Sequence, residues 1–363
     1  MMIGKHKSEL DTPVLWVDLD TMEENIRWLV EFFNERDLNW RPHTKGIKTP
    51  AIAHKLIEAG AIGVTCAKLS EAEVMASAGI RDILVANQIV GEQKVTRLAN
   101  LEKWTDLKVA VDNIKNVQRI SRIAEAKGVK VPVVVELNTG MNRAGVEPGS
   151  AAVDLAKEVD SESHPGVKFA GLMTWEGHAA TMEDQVKKER TIREAIGKLI
   201  SSVEDCEDAG LDVGIVSCGG SQTFKITSTF DEVTEIQAGG AAFTDVAYGK
   251  WGVDLNPSLF VSTTVTSRPT SSRGIVDAGK KALDDRVAVP QPKDFEGLRL
   301  TGLSAEHGLI SIEDECSDLS IGDRVDFIVG YGDNTVFLYD KLYGVRDEKI
   351  ERAWNIEGRG KLR

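Results

Sequence analysis

Short apolar runs alternate with amphipathic stretches over the first two thirds of the chain. Each run has the length of a buried strand, and most stretches between them repeat apolar residues at helical spacing. Apolar strands separated by helices indicate parallel pairing with right-handed crossovers. Eight such strands close naturally into a (β/α)8 barrel, and a doubly wound open sheet is the alternative. The predicted strands are 38–41, 62–66, 83–86, 107–111, 131–137, 168–174, 213–217 and 233–237.

The pattern changes after about Trp251, where β-rich segments punctuated by turn residues indicate an antiparallel domain. The apolar segment TPVLWVDL precedes the first predicted helix and has no partner in the barrel count. We therefore predict an α/β protein with a (β/α)8 barrel over residues 20–250. A C-terminal antiparallel β domain, residues 251–363, is expected to take the N-terminal strand within residues 1–19.

Composition narrows the class of partner. The 363 residues carry a formal net charge of −13, which argues against nucleic acid and anionic membranes. The apolar runs are shorter than the roughly 20 residues of a membrane span, and the N-terminus lacks the apolar core of a secretion signal. Cys66, Cys206, Cys218 and Cys316 show no paired spacing for zinc or disulfides. We expect a cytoplasmic protein that acts on a small molecule.

The loops after the strands carry the candidate chemistry, because barrel active sites lie at the carboxyl ends of the strands. After the first strand comes RPHTKGIK, which contains His43, Lys45 and Lys48. A solvated basic loop is the alternative for such a cluster. Other candidate side chains in these loops are Arg143 after the fifth strand and Trp175 and His178 after the sixth.

Two glycine-bearing loops follow the seventh and eighth strands, CGGSQT at 218–223 and AGGAAFTD at 238–245. Their backbone N–H groups, with the hydroxyls of Ser221 and Thr223, can bind a phosphate, and this is the usual phosphate position in such barrels. A phosphate on one side of the barrel mouth and a lysine on the other favour a lysine-bound phosphorylated cofactor. Pyridoxal 5′-phosphate fits, because it carries a phosphate and an aldehyde that forms a Schiff base.

The ordered motifs resemble the fold-type III pyridoxal phosphate enzymes, in the D-threonine aldolase and D-serine dehydratase branch of the alanine racemase-like group. The similarity runs nearly from end to end. The motifs are TPVLWVDLD, RPHTKGIK, SEAE, NTGMNRAGV, GLMTWEGH, CGGSQTF, EIQAGG, VDAGKKAL, GLSAEHG and GDRVDFIVGYGDNTVFLYD.

The resemblance implies roles for these loops. Lys45 corresponds to the Schiff-base lysine, with Lys48 as the weaker candidate, and Arg143 would contact the ring side of the cofactor. A Schiff-base lysine must be neutral to attack, and Arg41 and Lys48 are the nearby charges expected to lower its pKa. The residues expected around the phosphate are Gly219, Gly220, Ser221, Gln222, Thr223, Gly239 and Gly240.

Three further side chains have a functional and a structural interpretation each. His43 would be a catalytic or cofactor-positioning group, or a structural hydrogen-bonding residue. Trp175 would be a wall of the substrate site, or part of the core. His178 would be a substrate contact, or an exposed loop histidine.

A departure from the family concerns the metal. Members of this branch hold a divalent metal through a histidine-containing pair near the C-terminus, but this chain reads GYGDNT, with Tyr331 in place of histidine and Asp333 retained. Tyrosine is a poor ligand unless it is ionised. We therefore expect Mg²⁺ or Mn²⁺ to be absent or loosely held through Asp333. His307 would supply a nitrogen ligand or a substrate contact, or be a structural β-domain residue, and Tyr331 would serve as a proton donor or acceptor.

By this resemblance the leading functional hypothesis is a lyase that cleaves β-hydroxy-D-amino acids to glycine and an aldehyde. The alternatives are elimination of water to a keto acid and ammonia, as in a D-serine dehydratase, and racemisation with Lys45 and Tyr331 as opposed acid–base groups. A non-catalytic pyridoxal phosphate carrier is disfavoured, because such carriers usually lack a second domain. The resemblance also implies a homodimer.

Overall fold

The computed structural model describes residues 2–313 and 318–363, so Cys316 lies outside the described residues. The chain forms two compact units. Among the described residues, the barrel unit comprises 30–45, 52–239 and 361–363, and the β unit comprises 2–29, 46–51, 240–313 and 318–360. The chain therefore passes from one unit to the other directly after Lys45 and directly after Gly239.

Eight strands of the barrel unit pair side by side, every neighbouring pair parallel. Their order is β2-β9-β8-β7-β6-β5-β4-β3, and backbone bonds from Ile62 N to Trp40 O and from Thr65 N to Pro42 O join the two ends. The predicted barrel is thus confirmed, and the open-sheet alternative is wrong. The strands are β2 Asn39–Trp40, β3 Val64–Cys66, β4 Asp82–Val85, β5 Asp106–Val111, β6 Val131–Leu137, β7 Val167–Thr174, β8 Ile215–Cys218 and β9 Glu235–Ile236.

Helices separate these strands, as their periodicity predicts. Helix α5 shows how the sequence sets the ends: the Asn113 side chain accepts a bond from Lys115 N, and Gly128 ends the helix in the left-handed conformation. The boundary between the units falls inside α1. The helices from α1 to α9 are α1 Leu19–Asn34, α2 Pro50–Ala59, α3 Leu69–Ser77, α4 Glu92–Glu102, α5 Ile114–Lys127, α6 Ser150–Asp160, α7 Gly177–Ala180, α8 Gln185–Asp208 and α9 Phe224–Thr227.

A charged cluster is buried at the amino ends of the barrel strands. The Arg41 guanidinium, 2% exposed, donates to Glu235 at 2.9 Å and to Asp82 at 2.5 Å. Asp82 also accepts from Lys108 Nζ at 2.6 Å. Asp82 and Glu235 are the first residues of β4 and β9, so this cluster lies at the end opposite the loops that follow the strands. The expectation that Arg41 lends its charge to Lys45 is therefore wrong, because two carboxylates neutralise it there.

The N-terminal strand β1 Val14–Asp18 joins the sheet of the β unit, as predicted. It pairs with β10 in the antiparallel sense and with β16 in the parallel sense, so this sheet is not wholly antiparallel. Trp16 stacks on Phe260 with ring centroids 4.5 Å apart. The remaining elements are β10 Leu259–Thr270, β11 Arg273–Val276, β12 Gln291–Pro292, β13 Leu298–Leu303, β14 Gly308–Ile312, β15 Arg324–Ile328, β16 Lys341–Arg346, β17 Lys349–Asn355, α10 Val246–Lys250 and α11 Gly332–Thr335.

The expectations about membrane spans and cysteines concern the whole chain. Across the described ranges, every helix is too short or too polar to cross a membrane. Cys66, Cys206 and Cys218 are buried thiols, and burial raises the pKa of both Cys206 and Cys218.

Candidate active site

The loop after β2 presents Lys45. Its side chain is exposed, and its backbone N–H donates to Nδ1 of His43 at 3.3 Å. His43 thus bonds within the loop and stabilises the turn that carries Lys45. Lys48 is buried instead, with a positive φ of 52° and its carbonyl accepting a bond from Gly358 N in the β unit. These placements favour Lys45 over Lys48 as the lysine that attacks an aldehyde.

The predicted phosphate loops need glycine for steric reasons. A Cβ on Gly239 would lie 2.7 Å from the backbone nitrogen of His43, so the loop after β9 packs directly on the loop that carries Lys45. A Cβ on Gly220 would lie 2.6 Å from Cζ3 of Trp175, and Gly219 has a φ of +73°. These contacts bring the lysine loop onto one glycine loop and Trp175 onto the other.

The other residues predicted around the phosphate lie in the same two loops. Ser221 and Thr223 are buried and Gln222 is half-buried. Gly240 belongs to the β unit, where its Cα faces the ring of Tyr248.

A buried carboxyl that sequence reasoning missed lies beneath the loop 219–223. Glu176 is fully buried and accepts bonds from the Thr223 hydroxyl at 2.5 Å and from Gly219 N at 3.4 Å. Thr223 Oγ1 in turn accepts from Gly220 N at 2.9 Å. Burial raises the pKa of Glu176. Its signal in the sequence is a lone acid two residues after an apolar strand, between a tryptophan and a glycine.

Arg143 lies on the loop after β6, and its exposed side chain reaches back to Glu136. The guanidinium is 3.4 Å from Oε1 of Glu136, whose other oxygen accepts from Gln88 Nε2 at 2.5 Å. Glu136 is only 3% exposed, although it stands in the apolar run VPVVVEL. A single acid within a strand of valines is a signal that could have identified it. The pair keeps Arg143 at the carboxyl end of β6, where a barrel ligand binds.

Trp175 and His178 follow β7, and both are half-buried. Nε2 of His178 lies 2.9 Å from the position of a Cβ on Gly140, so His178 packs on the loop that carries Arg143. Burial and the charge of Lys198 lower the pKa of His178, which keeps the ring neutral. Its buried Nδ1 has no hydrogen-bond partner among the described residues. The exposed-loop alternative for His178 is therefore disfavoured.

In the β unit, Tyr331 donates from its hydroxyl to Asp333 Oδ2 at 3.0 Å. The Asp333 carboxyl carbon lies 3.0 Å from the position of a Cβ on Gly46, the residue that follows Lys45 in the chain. The Tyr331 ring also packs against Tyr248 and Trp251, with centroids 5.8 and 5.6 Å away. Burial, followed by the charge of Asp333, raises the pKa of both tyrosines, so they are neutral hydroxyls.

These donors do not fit a tightly bound divalent metal. Asp333 already accepts a hydrogen bond from Tyr331, and a neutral phenol is a poor metal ligand. His307 lies on an exposed turn between β13 and β14, where its carbonyl accepts from Ser304 N. Among residues 2–313 and 318–363, no three or more histidine, cysteine or acidic side chains are grouped so that they could hold a metal.

A phosphorylated aldehyde, in contrast, fits the barrel loops. The exposed Lys45 can supply the required amine nucleophile, and the backbone N–H groups of the two glycine loops are the donors that a phosphate uses at this end of a barrel. Fold and loops define a class of protein: a (β/α)8 barrel with a lysine loop and two glycine loops, in a chain that also forms a β unit with the N-terminal strand.

Comparison with known proteins identifies the family. The family model described as alanine racemase, N-terminal domain, matches residues 17–246, and a serine dehydratase domain model matches residues 258–345. The chain belongs to the alanine racemase N-terminal domain family, which implies pyridoxal 5′-phosphate as the cofactor. The resemblance stated from the sequence is thereby confirmed.

Individual relatives match along most of their length. The chain is 32% identical to a D-threonine aldolase of Arthrobacter sp, over 98% of this chain and 95% of that one. It is also 32% identical to a 3-hydroxy-D-aspartate aldolase of Paracoccus denitrificans (99% and 94%), and 28% identical to a D-threo-3-hydroxyaspartate dehydratase of Delftia sp. (87% and 87%). The crystal structure of a D-threonine aldolase from Filomicrobium marinum superposes with a TM-score of 0.97 at 32% identity, covering 100% of this chain and 99% of that one.

Proposed function

We propose that this protein is a pyridoxal phosphate-dependent lyase that cleaves β-hydroxy-D-amino acids between Cα and Cβ, giving glycine and an aldehyde. The observation that carries the proposal is the exposed Lys45 on a loop packed against the glycine of the loop after β9. The two aldolases of 32% identity, similar over nearly the whole chain, support this reaction over others of the family.

Each barrel loop has a task in this proposal. Lys45 would hold the cofactor through its ε-amino group, and His43 would keep the Lys45 turn in place through its Nδ1. The glycine loops would take the phosphate, and Arg143, held by Glu136, would face the ring side of the cofactor. When bound, pyridoxal 5′-phosphate supplies an electron sink for the electron pair of the broken Cα–Cβ bond.

The substrate's β-hydroxyl must lose its proton for the aldehyde to form. We propose that this hydroxyl donates to the Tyr331 oxygen, and that its proton replaces the Tyr331 hydroxyl proton, which passes to the Asp333 carboxylate. Support comes from the resemblance, in which Tyr331 and Asp333 match the place where relatives hold a metal beside the cofactor, and from the Tyr331–Asp333 hydrogen bond. The neutral ring of His178, together with Trp175, would contact the substrate. The Tyr331–Asp333 pair in this role reduces the need for Mg²⁺ or Mn²⁺.

Dehydration is the second candidate, and similarity to the Delftia dehydratase favours it over racemisation. Incubation with D-threonine and D-serine, in parallel with their L-enantiomers, separates the three. Glycine and acetaldehyde from D-threonine support cleavage. Ammonia with a keto acid would show dehydration, and appearance of the opposite enantiomer would show racemisation.

We also propose that the protein is a homodimer, by resemblance to the fold-type III enzymes. Sedimentation equilibrium of the cofactor-loaded protein should give twice the chain mass. A monomer that retains full lyase activity would contradict this proposal.

A further inference from the structure

Glu176 takes up several donors that a phosphate would otherwise use. Its carboxyl accepts from Gly219 N and from the Thr223 hydroxyl, and the Thr223 oxygen accepts from Gly220 N. Two amides of the glycine loop and its threonine hydroxyl are thus turned toward the protein. Thr223 cannot donate the same hydrogen to a ligand. The Thr223 hydroxyl, which was expected to donate directly to the phosphate, therefore acts on the phosphate only indirectly.

We infer that Glu176, acting through Thr223, is a positioning residue that gives the loop 219–223 its phosphate-binding shape. The carboxyl is fully buried and Thr223 is 1% exposed, so solvent cannot replace either bond. Gly219, with its positive φ, and Gly220, which packs on Trp175, have no side chains that could hold the loop instead. One acid and one hydroxyl thus hold the backbone of this loop from below, in addition to the bonds that Thr223 N and Phe224 N donate to Gly220 O.

The geometry sets a specific expectation. If the pair shapes only the phosphate loop, its loss should weaken binding of ligands that carry a phosphate and leave phosphate-free ligands unaffected. Pyridoxal has the same aldehyde as pyridoxal 5′-phosphate and lacks the phosphate, so it is the matched probe. This inference rests on the proposed cofactor, but its test measures binding and does not depend on which reaction the protein catalyses.

The experiment compares Glu176→Gln and Thr223→Val with the wild type. Each protein is prepared as the holoenzyme, and its cofactor is then removed by dialysis. Titration with pyridoxal 5′-phosphate, followed by absorbance, should show a dissociation constant raised about tenfold or more in both variants, as expected for the loss of a buried hydrogen bond. The dissociation constant of pyridoxal should stay within about twofold. Thr223→Ser keeps the hydroxyl and should restore wild-type affinity.

Glu71→Gln is the matched control. Glu71 is also a buried carboxyl, 2% exposed, that accepts two backbone N–H bonds, from Ala67 and Lys68, at another barrel loop. The Glu71→Gln variant should leave the ratio of the dissociation constants for pyridoxal and pyridoxal 5′-phosphate unchanged. Because Glu176 and Thr223 act as one unit, the double variant should bind no more weakly than the weaker single variant.

Equal weakening toward pyridoxal and pyridoxal 5′-phosphate would overturn the inference, since it would show a general structural role. Unchanged affinity for pyridoxal 5′-phosphate in Thr223→Val would overturn it as well, even if Glu176→Gln failed to fold. A wild-type protein that retains no pyridoxal 5′-phosphate would contradict the proposed cofactor itself. Normal binding without cleavage of any β-hydroxy-D-amino acid would count against the proposed reaction alone.

Discussion

Replacing Gly239 by alanine tests whether the loop after β9 supports the lysine loop. The added Cβ would lie 2.7 Å from the His43 nitrogen and 2.8 Å from its carbonyl carbon, whereas ordinary contacts begin at 3.4 Å. The contact with the nitrogen alone requires the two backbones to separate by 0.7 Å, the difference between 3.4 and 2.7 Å, and the His43 carbonyl oxygen lies closer still. No change of rotamer can relieve a clash with backbone atoms.

This displacement should affect stability and catalysis together. Overpacking of this kind lowers the free energy of unfolding by about 1–3 kcal/mol. Because Lys45 is two residues from His43, the shift moves the reacting amine, and a misplacement of about 1 Å can cost roughly 100-fold in rate. Cleavage of D-threonine, followed through reduction of the aldehyde product, gives kcat/KM, and urea denaturation gives the stability.

Gly197→Ala is the control substitution. Gly197 lies inside α8 of the same unit, and a Cβ added there would have no heavy atom within 4 Å apart from its own helix and chain neighbours. Alanine should raise the unfolding free energy there by up to about 1 kcal/mol and leave kcat/KM unchanged. Wild-type kcat/KM and urea midpoint in Gly239→Ala would refute the proposed packing of the two loops.

Three further outcomes follow from the structure. Arg41→Met should lower the unfolding free energy by about 3–5 kcal/mol, because it leaves buried Glu235 unpaired. In urea denaturation the double variant Arg41→Met/Glu235→Leu should recover part of this loss. Equal losses of unfolding free energy in the single and double variants would contradict the pairing. EDTA should leave more than half of the lyase activity of the wild type, and Tyr331→His should tighten Mn²⁺ binding about tenfold by calorimetry. Complete inactivation of the wild type by EDTA, reversed by Mn²⁺, would contradict an absent or loosely held metal. Burial raises the pKa of Glu102 from 4.5 to about 7, so its contribution to stability is present below pH 4.5 and is lost as the pH rises through 7. Glu102→Gln should therefore flatten the urea midpoint over that range, and an unchanged slope would contradict the assignment.

The order of the barrel was predictable because periodicity and loop chemistry are local properties. Lys45, Arg143 and both glycine loops each follow a predicted strand, and the barrel rule places all such loops at one end. The sequence did not predict which way the Arg41 side chain points. Its partners Asp82 and Glu235 are 41 and 194 positions away in the chain, so its pairing depends on barrel closure.

The buried acids were missed for another reason. Glu136 and Glu176 are ordinary charged residues in a sequence, and only the fold shows that each is enclosed and hydrogen-bonded. His307 illustrates the reverse error, because a histidine near an acid suggests chemistry in the sequence. In the structure it occupies an exposed hairpin turn of the β unit.

The most direct test of the proposed function is to find which lysine holds the cofactor. Protein loaded with pyridoxal 5′-phosphate is reduced with borohydride, digested, and mapped by mass spectrometry. We predict a pyridoxyl label on Lys45, with loss of the visible absorbance and of D-threonine cleavage in Lys45→Ala. A label on buried Lys48, or a coloured and active Lys45→Ala protein, would contradict this assignment.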